Sequence, residues 1–156
     1  MNDDQLNQIV KNVLKKQTQN FFSLEKMEKV IQTAVNRAND FDIGVTIVIM
    51  RDNQVVQMSY HMPNANLVSS TLARKKAWSA LAMMDATINL SKEVQPGADL
   101  YQIETMMGGK LTSFGGGIPL KVDGHIIGAI GVSGGTVKQD QAICETAVDT
   151  FVKESE

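Results

Sequence analysis

The stretch FGGGIPLKVDGHIIGAIGVSGG, Phe114 to Gly135, decides how this chain is read. Ile118, Leu120 and Val122 alternate with Pro119 and Lys121, which is strand spacing. Asp123-Gly124 follows as a two-residue hairpin turn, and HIIGAIGV returns as the partner strand. Pro119 has no amide hydrogen to give a ladder, so it points to an edge position or a strand start. Eight of these twenty-two residues are glycine. Glycine weakens a strand, because it has no side chain to pack and loses the most backbone freedom on folding. Such density predicts a close approach, either of backbone to backbone or of backbone to a ligand.

Downstream, Thr136 to Gln139 (TVKQ) matches a capping box, and the last helix buries Ile143, Ala147, Val148 and Phe151. Upstream, VTIVIM (Val45 to Met50) is continuously apolar and reads as a buried central strand. RDNQ is a turn, VVQMSYHM returns as its partner, and PNAN ends the hairpin. Before it, Ser23 caps a helix with the stripe Leu24, Met27, Val30, Ile31, Ala34 and Ala38. Between the hairpins a long helix is expected from Val68 to Ile88, with Leu72, Ala77, Ala80, Leu81, Met84 and Ile88 inward. Pro96-Gly97 stops it, and ADLYQIETMM forms a short helix closed by Gly108-Gly109. At the start, Leu6, Ile9, Val10, Val13 and Leu14 share one face of an amphipathic helix over residues 1–16. KKQTQN breaks that pattern, so residues 17–22 read as a linker and 23–156 as the domain. Two hairpins separated by helices argue for an antiparallel sheet with helices packed on it, and against alternating βαβ units.

A chain of 156 residues with 43% hydrophobic content suits a single core. The net charge of −2 offers no basic face for nucleic acid. One cysteine, Cys144, excludes an internal disulfide framework and a cysteine zinc site. No run approaches the roughly 18 apolar residues of a membrane span. MNDDQLNQIVKNVLKK carries acidic and amide residues where a secretion signal is basic and then apolar, so a cytoplasmic location is expected.

Several motifs fail on inspection. Gly109-Lys110 is followed by Leu111, and Glu104 stands where a phosphate-binding P-loop begins with glycine. GAIGVSGG lacks the dinucleotide fingerprint. Gly131 to Gly135 (GVSGG) spells a nucleophile elbow around Ser133, but the sheet is antiparallel and no histidine follows it. No set of nucleophile, base and orienting residue is recognisable, so the chain leans away from catalysis. SGGT joins a strand to a capped helix, where free amides attract anions; a small anionic ligand and a plain tight turn both stand. His125 follows the hairpin turn and reads as solvated. His61 ends a strand beside Met58 and Met62, and imidazole and thioether are both haem-iron ligands, so it is the candidate metal ligand. The other reading of His61 is an exposed strand end. Most of the nine methionines lie at helix stripe positions and fill the core.

FGGGIPL, the DG before an apolar strand, GAIGVSGG, QPGADLY and ARKKAWSA together resemble the GlcG/HbpS-like family, also described as the haem-degrading or PduO C-terminal domain family. The resemblance covers about Ser23 to Val148. It implies an α/β (α+β) fold, a profilin-like or PAS-like sandwich with a five-stranded antiparallel sheet. It also implies a homo-oligomer and haem, or another tetrapyrrole or small ligand, as the bound group. Lys76, Gly115, Gly116, Gly117, Pro119, Gly131, Ser133, Gly134 and Gly135 are the positions that carry over. His61 and Met62 are candidate cofactor-binding residues on their own account. Family members commonly carry RMDGAPL where this chain has HMPNANL, so His61 departs from the pattern.

Three roles follow as expectations. The first is a haem-binding accessory protein in corrinoid-dependent diol or glycerol utilisation. The second is an enzyme acting on haem or a small metabolite. The third is an assembly protein with no ligand. The first helix resembles the encapsulation peptides of bacterial microcompartment enzymes, which implies docking on a shell or core protein through Leu6, Ile9, Val10, Val13 and Leu14. Its alternative is docking on its own domain or a neighbouring subunit.

Overall fold

A computed structural model describes the backbone of residues 1–156 and the side chains of all but residues 17–20. Helices α1 (Asp3–Phe21) and α2 (Leu24–Asp40) precede the hairpin of β1 (Thr46–Arg51) and β2 (Val56–His61). Helix α3 (Val68–Met83) and the short α4 (Thr87–Leu90) and α5 (Ile103–Met106) lead to β3 (Gly117–Val122) and β4 (His125–Ser133), and α6 (Val137–Lys153) ends the fold. The strands form one antiparallel sheet in the order β2-β1-β4-β3. Helices α2 and α6 cover one face, over a core built on Ile47, Ile49, Leu120, Ile130, Val132 and Phe151. Helix α3 covers the other, where Ala73, Ala77 and Ala80 meet Val48, Met50 and Ala129.

The expected sheet had five strands; it has four. The chain supplies only four runs with strand pattern. The buried segment before β3, residues 111–113, is tied through a side chain instead of a ladder: the Thr112 amide donates to Ser79 Oγ at 2.8 Å. The long helix expected to Ile88 ends five residues sooner. Met84 turns left-handed at φ 54° and its amide caps onto Leu81, which leaves Met84 and Ile88 exposed. The expected helix over residues 98–107 narrows to the single turn of α5. The linker expected at 17–22 falls mostly on residues 17–20, whose side chains lie outside the described residues, and the bounds of α1 extend past them to Phe21.

Local signals hold well elsewhere. Ser23 Oγ accepts from the Lys26 amide at the start of α2, and Thr136 and Gln139 form both bonds of the capping box at α6. Asp123 (φ 49°) and Gly124 (φ 78°) make the tight turn, with Val122 opposite His125. Pro119 lies on an edge strand, as expected, and is buried there.

The glycines answer the question the sequence posed. A Cβ on Gly131 would lie 2.0 Å from the Ala73 carbonyl oxygen, and one on Gly117 would lie 2.3 Å from that of Lys76. Backbone approaches backbone: α3 sits directly on β3 and β4. Gly131→Ala is therefore expected to lose about 3 kcal/mol, because the whole helix must shift to admit one methyl. Gly97→Ala, at φ 87° with nothing within 4 Å, is expected to lose only about 1 kcal/mol. Urea denaturation midpoints of the two variants check the contrast.

Candidate functional site

The sequence-selected residues divide into two groups at different places. Lys76, Gly116, Gly117 and Ser133 gather in the interior, with Gly134 and Gly135 half-buried at the turn beside them. Lys76 has 0% exposure. Its Nζ donates to Asp140 Oδ2 at 2.8 Å and to the Val132 carbonyl at 2.9 Å, and it lies 5.0 Å from the centre of the Phe114 ring. Gly116 passes beside the ammonium: a Cβ there would stand 2.9 Å from Nζ. Asp140 is equally enclosed, and its Oδ1 accepts the Gly135 amide at 2.8 Å. Burial pushes the Asp140 carboxyl above the usual carboxylate range; the hydrogen bond and charge of Lys76 and the amides of Gly135 and Gly134 oppose that push.

This geometry gives the SGGT turn its anion. The carboxylate drawn to the free amides at the start of α6 is Asp140 of the same helix. Ser133 is buried in β4 opposite Thr46, and Pro119 is buried in β3 opposite Ala129. Cys144 is buried too, its thiol donating to the Ile130 carbonyl, and burial pushes its pKa up, away from the reactive thiolate.

His61 stands apart, exposed at the end of β2. Met58 and His61 are three residues apart on a strand, so they face opposite sides of the sheet. Met58 lines a groove of about 690 Å³ between α2 and β2, together with Ser59, Tyr60 and Ile31. Met62 is turned into the core at 5% exposure. The soft-ligand cluster expected from adjacency in sequence is thus divided among three places.

His61 instead meets hydroxyls. Its Nδ1 lies 2.7 Å from Thr46 Oγ1, which lies 2.7 Å from Ser69 Oγ. Ser69 Oγ donates to the Asn66 carbonyl at 2.6 Å. A carbonyl can only accept, so the one Ser69 proton is committed there. The Thr46–Ser69 contact must then use the Thr46 proton. Nothing but the His61 ring can supply the proton between Thr46 and Nδ1. The neutral imidazole is therefore the Nδ1–H tautomer, and its Nε2 carries a lone pair toward the exposed side. Leu67 and Val68, both exposed, begin α3 next to Ser69 and add apolar surface at the same end of the helix. Thr46, Ser69 and Asp140 are the residues that sequence reading missed. The only sequence signal for Thr46 and Ser69 is a hydroxyl at an inward position, and for Asp140 a carboxylate in the first turn of a helix.

The first helix presents Leu6, Ile9, Val10, Val13 and Leu14, each about half exposed. It is capped by a reciprocal Asn2–Gln5 box. No helix among the described residues is long and apolar enough to cross a membrane.

An antiparallel sheet covered on both faces, with its glycine-rich hairpin pressed against a helix, defines the class of fold. The chain belongs to the HbpS-like family: the model of "Haem degrading protein HbpS-like" matches residues 22–149. It is 45% identical over 126 residues to the corrinoid adenosyltransferase PduO of Citrobacter freundii, covering 81% of this chain and 38% of that protein. The chain thus spans about two fifths of that relative's length. An uncharacterized 15.0 kDa protein of the dhaT-dhaS intergenic region of Citrobacter freundii is 33% identical over 83% of this chain and 91% of its own length. Among solved structures, PduOC in complex with heme superposes with a TM-score of 0.79 at 44% identity, covering 82% of this chain and 93% of that one.

The proton assignment has a direct check. Heteronuclear NMR of the imidazole nitrogens is expected to show Nδ1–H for His61, and Thr46→Val is expected to shift the ring toward Nε2–H. A wild-type ring already in the Nε2–H form would overturn the assignment.

Proposed function

We propose that this chain is a haem-binding accessory protein that works as a homo-oligomer, with His61 Nε2 as a ligand to the iron. The observation that carries this reading is the 44% identity to a relative solved in complex with heme. The fit of His61 supports it: the ring is exposed and its Nε2 lone pair is held ready by the Thr46–Ser69 chain. His61 Nε2 is the atom that would hold haem, which would supply an iron able to accept an imidazole nitrogen. Leu67 and Val68 offer apolar surface to the macrocycle. Met62, being buried, supports the strand end beneath His61 and does not reach the group. Lys76, Gly116, Gly117, Pro119, Ser133, Gly134 and Gly135 act from inside, by fixing the position of α3 and therefore of Ser69.

Haemin added to the purified protein is expected to give a saturable Soret shift that His61→Ala weakens at least tenfold. Native mass spectrometry of the same samples reads the haem count and the oligomer together. A spectrum without a Soret shift would sink the haem reading; a shift untouched by His61→Ala would sink the ligand assignment; a lone 17 kDa species would sink self-association.

The first helix is a separate part of the proposal. Most helical stability in proteins comes from packing an amphipathic face, and the apolar stripe of α1 is about half exposed, so it needs a surface. We infer that α1 is a docking peptide for a shell or core protein of a bacterial microcompartment, which places the protein in the cytoplasm inside such a body. The exposure of the stripe and the likeness to PduO support this. The mode is an amphipathic helix laid into an apolar groove. Residues 1–20 fused to a fluorescent reporter are expected to form foci in cells that make such compartments. Diffuse fluorescence there would refute the assignment.

A further inference from the structure

On the α3 side, in the middle of the helix, a second concavity carries its own chemistry. It has a volume of about 300 Å³ and is lined by Met50, Gln54, Arg74, Lys75, Trp78 and Lys110. Three of its six lining residues are cations and none is a carboxylate. Among the described residues, Arg74, Lys75 and Lys110 form no ion pair. The chain as a whole is acidic, so this cluster is not a sample of its average surface. Three like charges around one hollow repel each other unless an anion lies between them.

The hollow is built, not merely lined. Lys75 Nζ donates to the Gly109 carbonyl at 2.9 Å, which ties α3 to the loop that carries Lys110. The Lys110 ammonium lies 4.2 Å from the centre of the Trp78 ring. Trp78 Nε1 donates to Gln54 Oε1 at 3.1 Å. Gln54 itself holds a left-handed backbone at φ 68°, a conformation that side chains other than glycine's resist. With Oε1 taken by the indole, the Gln54 amide nitrogen is left to donate. The wall is therefore rich in donors: one guanidinium, two ammonium groups and one amide nitrogen, against the single amide oxygen that the indole already engages.

We propose that this pocket binds a polyvalent oxyanion, a phosphate or carboxylate compound with at least two negative charges. Such a ligand presents charged acceptors, which is what a cationic, donor-rich wall selects. The guanidinium of Arg74 suits either oxyanion, since both accept its paired N–H groups. The inference does not depend on haem or on His61, which does not line this pocket.

Trp78 is the only tryptophan of the chain, so its emission, excited at the red edge where the two tyrosines do not absorb, reports this pocket. An anion that draws Lys110 off the indole face changes the emission. Pyrophosphate and citrate, each titrated at constant ionic strength against a chloride control, are expected to give a saturable change. Tighter pyrophosphate assigns a phosphate compound, and tighter citrate a carboxylate. Arg74→Gln, Lys75→Gln and Lys110→Gln are each expected to weaken binding about tenfold, as loss of one charge-assisted bond does. Arg74→Lys is expected to weaken binding less than Arg74→Gln does, since it keeps the charge and loses the paired N–H groups. Raising the salt weakens the response, because the cations are near the surface and screened. Emission that ignores both anions up to millimolar concentration overturns the proposal, as does an equal response in the three glutamine variants. Far-UV circular dichroism confirms that each variant is folded, and any single folded variant decides the matter.

Discussion

The distance between α3 and the sheet governs this molecule. With the Ala73 and Lys76 carbonyls where a Cβ of Gly131 or Gly117 would be, only glycine can stand in the strands beneath the helix. On the helix side Ala73, Ala77 and Ala80 keep the approach close. That proximity leaves Lys76 no path to water, because its side chain enters between β4 and the start of α6. It needs a counter-charge, and Asp140 provides one at 2.8 Å. Leaving either charge alone in that setting costs about 3–5 kcal/mol. Asp140 in turn holds the Gly135 amide and so shapes the turn from β4 into α6. The glycines, the lysine and the aspartate are one device: close packing imposes the buried charge, and the buried charge locks the turn.

A consequence is that the residues with the most distinctive pattern are the least available for chemistry. Their polar atoms are already satisfied by each other. What remains open lies at the periphery of the same helix. Its N-terminal end holds Ser69, which aims His61 through Thr46. Further along, Arg74, Lys75 and Trp78 form the wall of the cationic hollow. Both regions depend on where α3 rests, so the interior device acts on function through position and not through contact.

Much of this was written in local sequence. The hairpin at Asp123-Gly124 was readable because two positive φ values in succession demand such residues. The helix starts at Ser23 and Thr136 were readable because a side-chain oxygen there satisfies amides a few residues away. The stripe of α2 was readable from period alone, and the glycine-rich run was recognised as a place of close approach. The end of α3 was not, since its apolar pattern continues through Met84 and Ile88 while the backbone leaves the helix. The fifth strand came from likeness to relatives, and no run of residues in this chain stood behind it.

The separation of Met58, His61 and Met62 lies between these cases. The parity of a strand already sends Met58 and His61 to opposite faces, whereas the inward turn of Met62 is decided by the core it meets. Sequence by itself determined the two hairpins and the starts of α2 and α6, because those rest on interactions between residues a few positions apart. Tertiary structure alone decided that Lys76 finds Asp140, that Thr46 and Ser69 set the proton on His61, and that Lys110 comes to Trp78. Each of those pairings joins residues more than a dozen positions apart, and it depends on where helices settle on a sheet, which no local pattern encodes.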